Sequence, residues 1–469
     1  MTPNPTAAER GAARMRRLLE GPIGPTVARL AAPNIAVAAA QTCVTVADAW
    51  YVGRIGIAPL AALALVFPVQ TLMSMMSAGA MGGGVSSAVA RAMGAGDRDR
   101  AEAVVTHAVV IAIGMAAAYT LICAVLARPL FALLGGTGDA LDGAVAYAEI
   151  VFGAAIVMWI ANILAAVLRG TGNMAVPARV LICTAALGVV LSGALTLGWA
   201  GLPALGVRGP AVSLVVTFTI AAAFMAGYLW SGRAGIAPRL FGVTLRRALF
   251  LDILKVGAVA CGNALLTIGT ILVVTGLVGR FGTAALAGYG LGSRLELILI
   301  PVSFGVGGAL TALVGANRGA RQHARARRIA WAGGLAVFAF TGALGVVVAV
   351  WPALWIGLFT TDADAAAVAT TYLHIAGPFY GFFGIGMALY FASQGTGNMI
   401  WPFTAGTVRF VVAAGLGAVL VLWLDGALTT LFACVAAGLF VFGTMIALSL
   451  YSRVWNPAPP PVPARAAAE

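Results

Sequence analysis

Asn34, Gln41 and Asp48 follow one another at seven-residue spacing in the apolar stretch PNIAVAAAQTCVTVADAWYVGRIG, residues 33–56. Seven residues of helix fall about 20° short of two turns, so the three side chains share one face. Thr45 lies roughly 60° from that face. The chemistry such a stripe can do is proton transfer at the Asp48 carboxyl, with amide and hydroxyl groups to hold a solute. An Asp at the bilayer centre costs about 2.5–3.5 kcal/mol on insertion scales, so the stripe is expected to line a cavity rather than face lipid. Pro33 removes one helical hydrogen bond and is expected to act as a hinge.

The rest of the chain must supply the wall around that stripe. Its 469 residues are 61% hydrophobic and 9% charged, whereas soluble domains carry about 25% charged residues. Such a chain is an all-α polytopic membrane protein with room for about twelve transmembrane helices. Apolar segments fall at roughly 28–52, 59–90, 101–126, 142–168, 175–199 and 208–230, and again at 249–278, 284–315, 328–352, 365–392, 401–423 and 427–450. They are numbered spans 1 to 12. The resulting division is an N-terminal tail at 1–24, an N-lobe at 25–230, a linker at 231–247, a C-lobe at 248–451 and a disordered proline-rich tail at 452–469.

The two halves repeat. Gly170-Thr171-Gly172-Asn173-Met174 recurs as Gly395-Thr396-Gly397-Asn398-Met399, with 395 − 170 = 225. Tyr147 meets Tyr372 at the same offset, and Arg54 meets Arg280 at 226. Six spans per half is even, so both halves enter the bilayer from the same side. This is a parallel repeat about an axis along the membrane normal, with substrate held between two pseudo-symmetric lobes.

The net charge is +13, yet nucleic acid is not the expected partner, because the arginines cluster in alternate loops. The N-terminal tail, Arg91, Arg98, Arg100, Arg169, the linker and Arg318 to Arg328 fall on one side. Asp139, Asp142, Asp362, Asp364 and Asp425 fall on the other. The arginine side is expected to be cytoplasmic, with both termini there, in a multi-pass protein of the cytoplasmic (inner) membrane. The N-terminal tail is expected to carry a short amphipathic helix on the membrane surface. The five cysteines lie in apolar segments at no metal spacing and are expected to pack in the core.

The segments DAWYVGRIGIAPLAALAL, GGGVSSAVARAMGAGDRDRAE and RGTGNMAVP, answered by VGRFGTAALAGYGLGSRLE and QGTGNMIWP, resemble the multidrug and toxic compound extrusion (MATE) family over nearly the whole chain. The resemblance implies a V of two six-helix lobes and export of drug-like amphipathic solutes in exchange for H+ or Na+, with no cofactor. It implies a coupling role for Asp48. It places the chain closer to the DinF-like branch, whose first helix bends at a proline, here Pro33. Members of that branch often carry an Asn-x-x-x-Asp pair in span 5, where this chain has Gly188 and Ser192. NorM-like members carry a Glu in span 7 and an Asp in span 10, where this chain has Thr267 and Phe383.

The expected substrate cavity takes Asn34, Gln41 and Thr45 from span 1, Gln70 and Met73 from span 2, Asn263 and Thr267 from span 7, and Glu296 from span 8. Glu296 could be neutralised by Arg294, although residues two apart point to different helix faces. His107 is expected at an interface. Glu149 and His374 occupy equivalent positions of the repeat, since 374 − 149 = 225, and read as architectural.

The expected function is a secondary antiporter, acting as a monomer, that exports cationic amphipathic solutes in exchange for H+. A lone carboxylate in a partly desolvated lobe can take a proton from outside and release it inward as the lobes rock. Na+ coupling is the alternative. A lipid-linked precursor flippase would need a strongly cationic cavity, and only Arg294 and Arg409 are candidates. An intramembrane enzyme would need a catalytic pair that the three histidines do not form. No GxxxxGK[ST] loop is present for ATP.

Overall fold

The structure is a computed structural model, and it describes residues 7–239 and 242–456. The expected disorder of the tail from 457 onward lies outside the described residues. Among those described, every regular element is helical.

Eleven helices are long and apolar enough to cross a membrane, and a bent pair makes a twelfth span. The N-terminal six are Ile23–Gly53, Ile57–Gly94, Arg98–Leu133, Gly138–Gly153 with Ala155–Gly170, Ala175–Leu197 and Arg208–Trp230. The C-terminal six are Arg247–Gly279, Thr283–Gly319, His323–Val350, Ala363–Thr396, Ile400–Trp423 and Leu428–Ser449. All twelve expected spans have a counterpart, mostly extended by a turn or more at one or both ends. Hydropathy sees only the lipid-facing middle of such helices, whereas their ends continue into polar loops.

The repeat is visible in the packing. A Cβ on Gly94 would fall on the Ala316 carbonyl, and one on Gly319 would fall on the Arg91 carbonyl. Both pairs are related by 225, since 319 − 94 = 225 and 316 − 91 = 225. Spans 2 and 8 therefore cross backbone to backbone, each lending a glycine to the other. Likewise Gly170 packs on Ser86 and Val89, and Gly395 on Thr311 and Val314, again at an offset of 225. The GTGN turns seat their helices on the same surface in each lobe.

Polar groups pin the lobes together at the arginine-rich end. Asp252 of span 7 receives Arg91 of span 2 at 2.7 Å and Arg100 of span 3 at 3.0 Å. Gln394 of span 10 donates to the Gly79 carbonyl at 3.1 Å, within a π-helical stretch of span 2, Met75–Met81. π geometry widens the turn and frees carbonyls for such a donor. Among the described residues, every hydrogen bond joining the lobes directly falls in the arginine-side half of its span.

The amphipathic helix Ala7–Glu20 lies on protein across this seam. The Leu18 carbonyl accepts from Asn317 of the C-lobe at 3.0 Å, while the Leu18 side chain packs on Gly172 of the N-lobe. The linker is stitched to span 3. The Arg246 amide donates to His107 Nε2 at 2.8 Å, and the Thr106 hydroxyl donates to the Arg239 carbonyl at 2.8 Å. His107 is thus fully buried rather than interfacial, because the linker folds back over it.

Other differences have physical causes. Span 1 runs as unbroken helix through Pro33. The geometric breaks of the N-lobe are the π stretch of span 2 and a 51° bend in span 4 beside Ala154. Cys43 and Cys183 are exposed rather than core, since lipid-facing and core positions are equally apolar.

Gly94→Val should lower the melting temperature of the detergent-purified protein, with overpacking costing about 1–3 kcal/mol. Gly114→Val, where a Cβ meets nothing within 4 Å, should leave it unchanged. Equal melting of the two variants would contradict the close crossing.

Candidate functional site: a cavity inside the N-lobe

Span 1 lies against span 5, and the dipeptide Ser192-Gly193 fixes the contact. The Ser192 hydroxyl donates to Asp48 Oδ1 at 2.5 Å. One residue on, Gly193 lets the Tyr51 ring and the Trp199 ring close on the span 5 backbone. Those rings meet edge to face with centroids 5.5 Å apart. A side chain at Gly193 would push out Tyr51 and carry Asp48 from its donor. Ser192 is fully buried, so its donor has no water to compete for.

Asp48 lines a narrow cavity of about 80 Å³. Gln41, Thr45 and Gln70 share the wall with Thr184, Gly188, Ser213 and Thr217 from spans 5 and 6. Much of that polarity is internally satisfied. Ser213 donates to the Gly188 carbonyl at 3.0 Å, and Thr217 donates to the Ser213 carbonyl at 2.8 Å. Thr45 bonds its own helix at the Gln41 carbonyl, 3.2 Å away. Gln70 accepts from the Tyr147 hydroxyl at 3.1 Å. Asp48 is the one carboxylate on the wall, so the site offers one proton acceptor amid neutral dipoles.

The remaining candidates sit elsewhere. Asn34 lies at the seam, where its amide reaches the Leu30 and Gly305 carbonyls, both at 3.4 Å. The stripe's heptad drift and the span 8 crossing turn it toward the other lobe. Met73 is fully buried in the apolar core rather than on the cavity wall, because its helix face packs inward. Asn263 is buried against Gly406 of span 11. Thr267 donates to the Asn263 carbonyl at 2.9 Å. Pro33 withholds an N–H from the Arg29 carbonyl four residues back.

Glu296 belongs to a second cluster in the C-lobe. It accepts from the Tyr372 hydroxyl, and Tyr289 meets the Tyr372 ring edge on at 5.2 Å. Arg294 is exposed and does not neutralise Glu296, as their spacing implies. Arg409 lies within electrostatic range of Glu296. The pairing was available in the repeat, because Gln70 with Tyr147 maps onto Glu296 with Tyr372, by 226 and 225 residues. Glu149 and His374 are both exposed, outside either cluster.

The MatE family pattern matches residues 33–193 and 259–419. The chain belongs to the MatE family. Both matched segments start in the first span of a lobe, so each lobe carries one copy, and members of this family are transporters rather than enzymes. The chain is 24% identical to the FAD transporter of Shewanella oneidensis, over 78% of this chain and 81% of that one. It is also 24% identical to the multidrug export protein MepA of Staphylococcus aureus, again over 78% and 81%. Its fold matches a multidrug resistance MATE family transporter of the MOP superfamily in an outward-facing conformation. There the TM-score is 0.84 at 22% identity, over 93% of this chain and 97% of that one. A MATE structure in a bent conformation gives a TM-score of 0.86 at 22% identity, over 95% and 97%.

Ser192→Ala should slow solute export about tenfold, since a hydrogen bond to a charged group is worth roughly 1.5–3 kcal/mol. Ser213→Ala, which removes a hydroxyl from the same wall without touching Asp48, should stay near wild type. Equal effects in a proteoliposome efflux assay would deny Ser192 its special place.

Proposed function

We propose that this MatE-family protein is a secondary antiporter that exports amphipathic cationic solutes in exchange for H+. Asp48 is its coupling group. The observation that carries the reading is Asp48 itself: one carboxylate on an N-lobe cavity wall, held by one hydroxyl donor. Proton loading frees Asp48 from the demand for a counter-charge, and proton release restores it. Solute and proton therefore compete for the same wall, which is the requirement for exchange. A bound Na+ would prefer several oxygens with more negative charge than one Asp brings. Na+ coupling is the alternative reading, supported by the Gln41, Thr45 and Gln70 oxygens on the same wall.

The multidrug relative MepA supports a drug-like substrate class. The lobes, pinned at the arginine-rich end, fit a resting state whose cleft opens to the acidic side. By the positive-inside rule the pinned end is cytoplasmic, with both termini there, in the inner membrane. Thr267 and Phe383 in place of the NorM-like acids favour the DinF-like branch. The twelve spans form a complete pair of lobes, and the protein acts as a monomer. A precursor flippase is disfavoured, since Arg294 is exposed and Arg409 alone faces the C-lobe cluster.

The test is ethidium efflux from proteoliposomes under a pH gradient and, separately, a Na+ gradient. The pH gradient alone should drive wild-type export. Asp48→Asn should bind ethidium only weakly, because the amide mimics the protonated acid with which the solute competes, and should fail to move it uphill. Export driven by Na+ alone, or full activity of Asp48→Asn, would refute proton coupling at Asp48.

A further inference from the structure

The repeat equivalent of Arg409 is Thr184, since 409 − 225 = 184, and Thr184 lines the cavity beside Asp48. The C-lobe thus places a guanidinium where the N-lobe has a hydroxyl. Its Cζ lies 5.3 Å from the Phe383 ring centroid and 5.5 Å from that of Phe442. Both rings lie within cation–π range of the guanidinium. Among the described residues no hydrogen bond or ion pair uses its donors. Arg409 is only half-buried.

Two further observations point the same way. Glu296 faces Arg409 within electrostatic range without bridging it, and is itself engaged by Tyr372. Two groups of opposite charge thus stand near one another without a direct contact. Span 11 also turns π-helical directly after Arg409, at Val411–Leu416, and π segments recur at functional sites because they re-aim the side chains beside them. An arginine at membrane depth without a hydrogen-bonded partner is costly, and such residues mark substrate paths.

We propose that Arg409 forms a substrate subsite in the C-lobe that takes the phosphate or carboxylate oxyanion of a solute. The guanidinium edge donates to two oxygens in a fork, with the buried Phe383 and Phe442 rings backing the cation. Glu296 supplies the counter-charge when the subsite is empty. This inference rests on reading the chain as a solute exporter and widens its substrate class beyond cations.

The test uses the full chain in nanodiscs and compares riboflavin with riboflavin 5′-phosphate by flavin fluorescence, with ethidium as a cationic control. The flavins share one ring system and differ by one phosphate. Wild type should bind the phosphate form at least about tenfold tighter, the size expected of a charged hydrogen bond. Arg409→Gln should abolish that preference and leave riboflavin and ethidium unchanged. Arg409→Lys should keep part of it, and Glu296→Gln should strengthen it by removing a competing anion. No preference in wild type, or an equal loss for all three ligands in Arg409→Gln, would overturn the subsite. So would a weaker phosphate preference in Glu296→Gln. Proteoliposomes separate the two readings: ethidium export without phosphate preference defeats the subsite alone, and failure to export any of the three defeats the exporter reading itself.

Discussion

A carboxylate set among apolar helices needs a donor, and the N-lobe is arranged so that Asp48 has one. The Ser192 hydroxyl supplies it at 2.5 Å, from a serine fully buried between spans 1 and 5. The contact depends on Gly193, whose missing side chain admits Tyr51, and on Trp199, which braces that ring. Span 1 can tilt or turn only by moving Asp48 relative to Ser192. A change in the Asp48 contact therefore moves a whole helix, which is the kind of link the proposed exchange of a proton for a solute demands.

The second constraint is the seam. Gly94 and Gly319 let spans 2 and 8 touch backbone to backbone, and Asp252 gathers Arg91 and Arg100 at the same end. The Ala7–Glu20 helix adds a strap that contacts both lobes. Opening this end breaks charged contacts that are partly shielded from water, so the two faces of the cleft cannot open together cheaply. The lobes themselves are not electrically equivalent. Positions that are Gln70 and Thr184 in the N-lobe are Glu296 and Arg409 in the C-lobe, so one scaffold carries a lone acid on one side and a charge pair on the other.

Much of this was legible in the sequence. The spans follow from hydropathy, and the repeat follows from the GTGN turns. The polar stripe marked Gln41, Thr45 and Asp48, which meet around one cavity. What the sequence concealed was mostly a matter of helix rotation. Asn34 shares the stripe but faces the other lobe, and Met73 faces the core, because an apolar helix in lipid has no amphipathic pattern to orient it. The exposure of Cys43 and Cys183 is hidden for the same reason. The Ser192 donor could be aligned but not shown to reach Asp48, since its reach depends on Gly193 and Tyr51. The Glu296–Tyr372 pair lay in plain view in the repeat, hidden only because Gln70 and Tyr147 carry no charge to draw notice. The bend at Ala154 has no proline to announce it, whereas Pro33 does not break its helix.

The central claim is that solute and proton compete at Asp48, and binding-linked proton release tests it most directly. Protein in nanodiscs, held without Na+ in weak buffer acidic enough to keep Asp48 protonated and followed with a pH indicator, is mixed with ethidium. The account predicts that wild type releases about one proton per ethidium bound as the cation displaces it, and that Asp48→Asn, given enough ethidium to occupy it, releases none. Ethidium binding to wild type with no proton release, or equal release from Asp48→Asn, would contradict it.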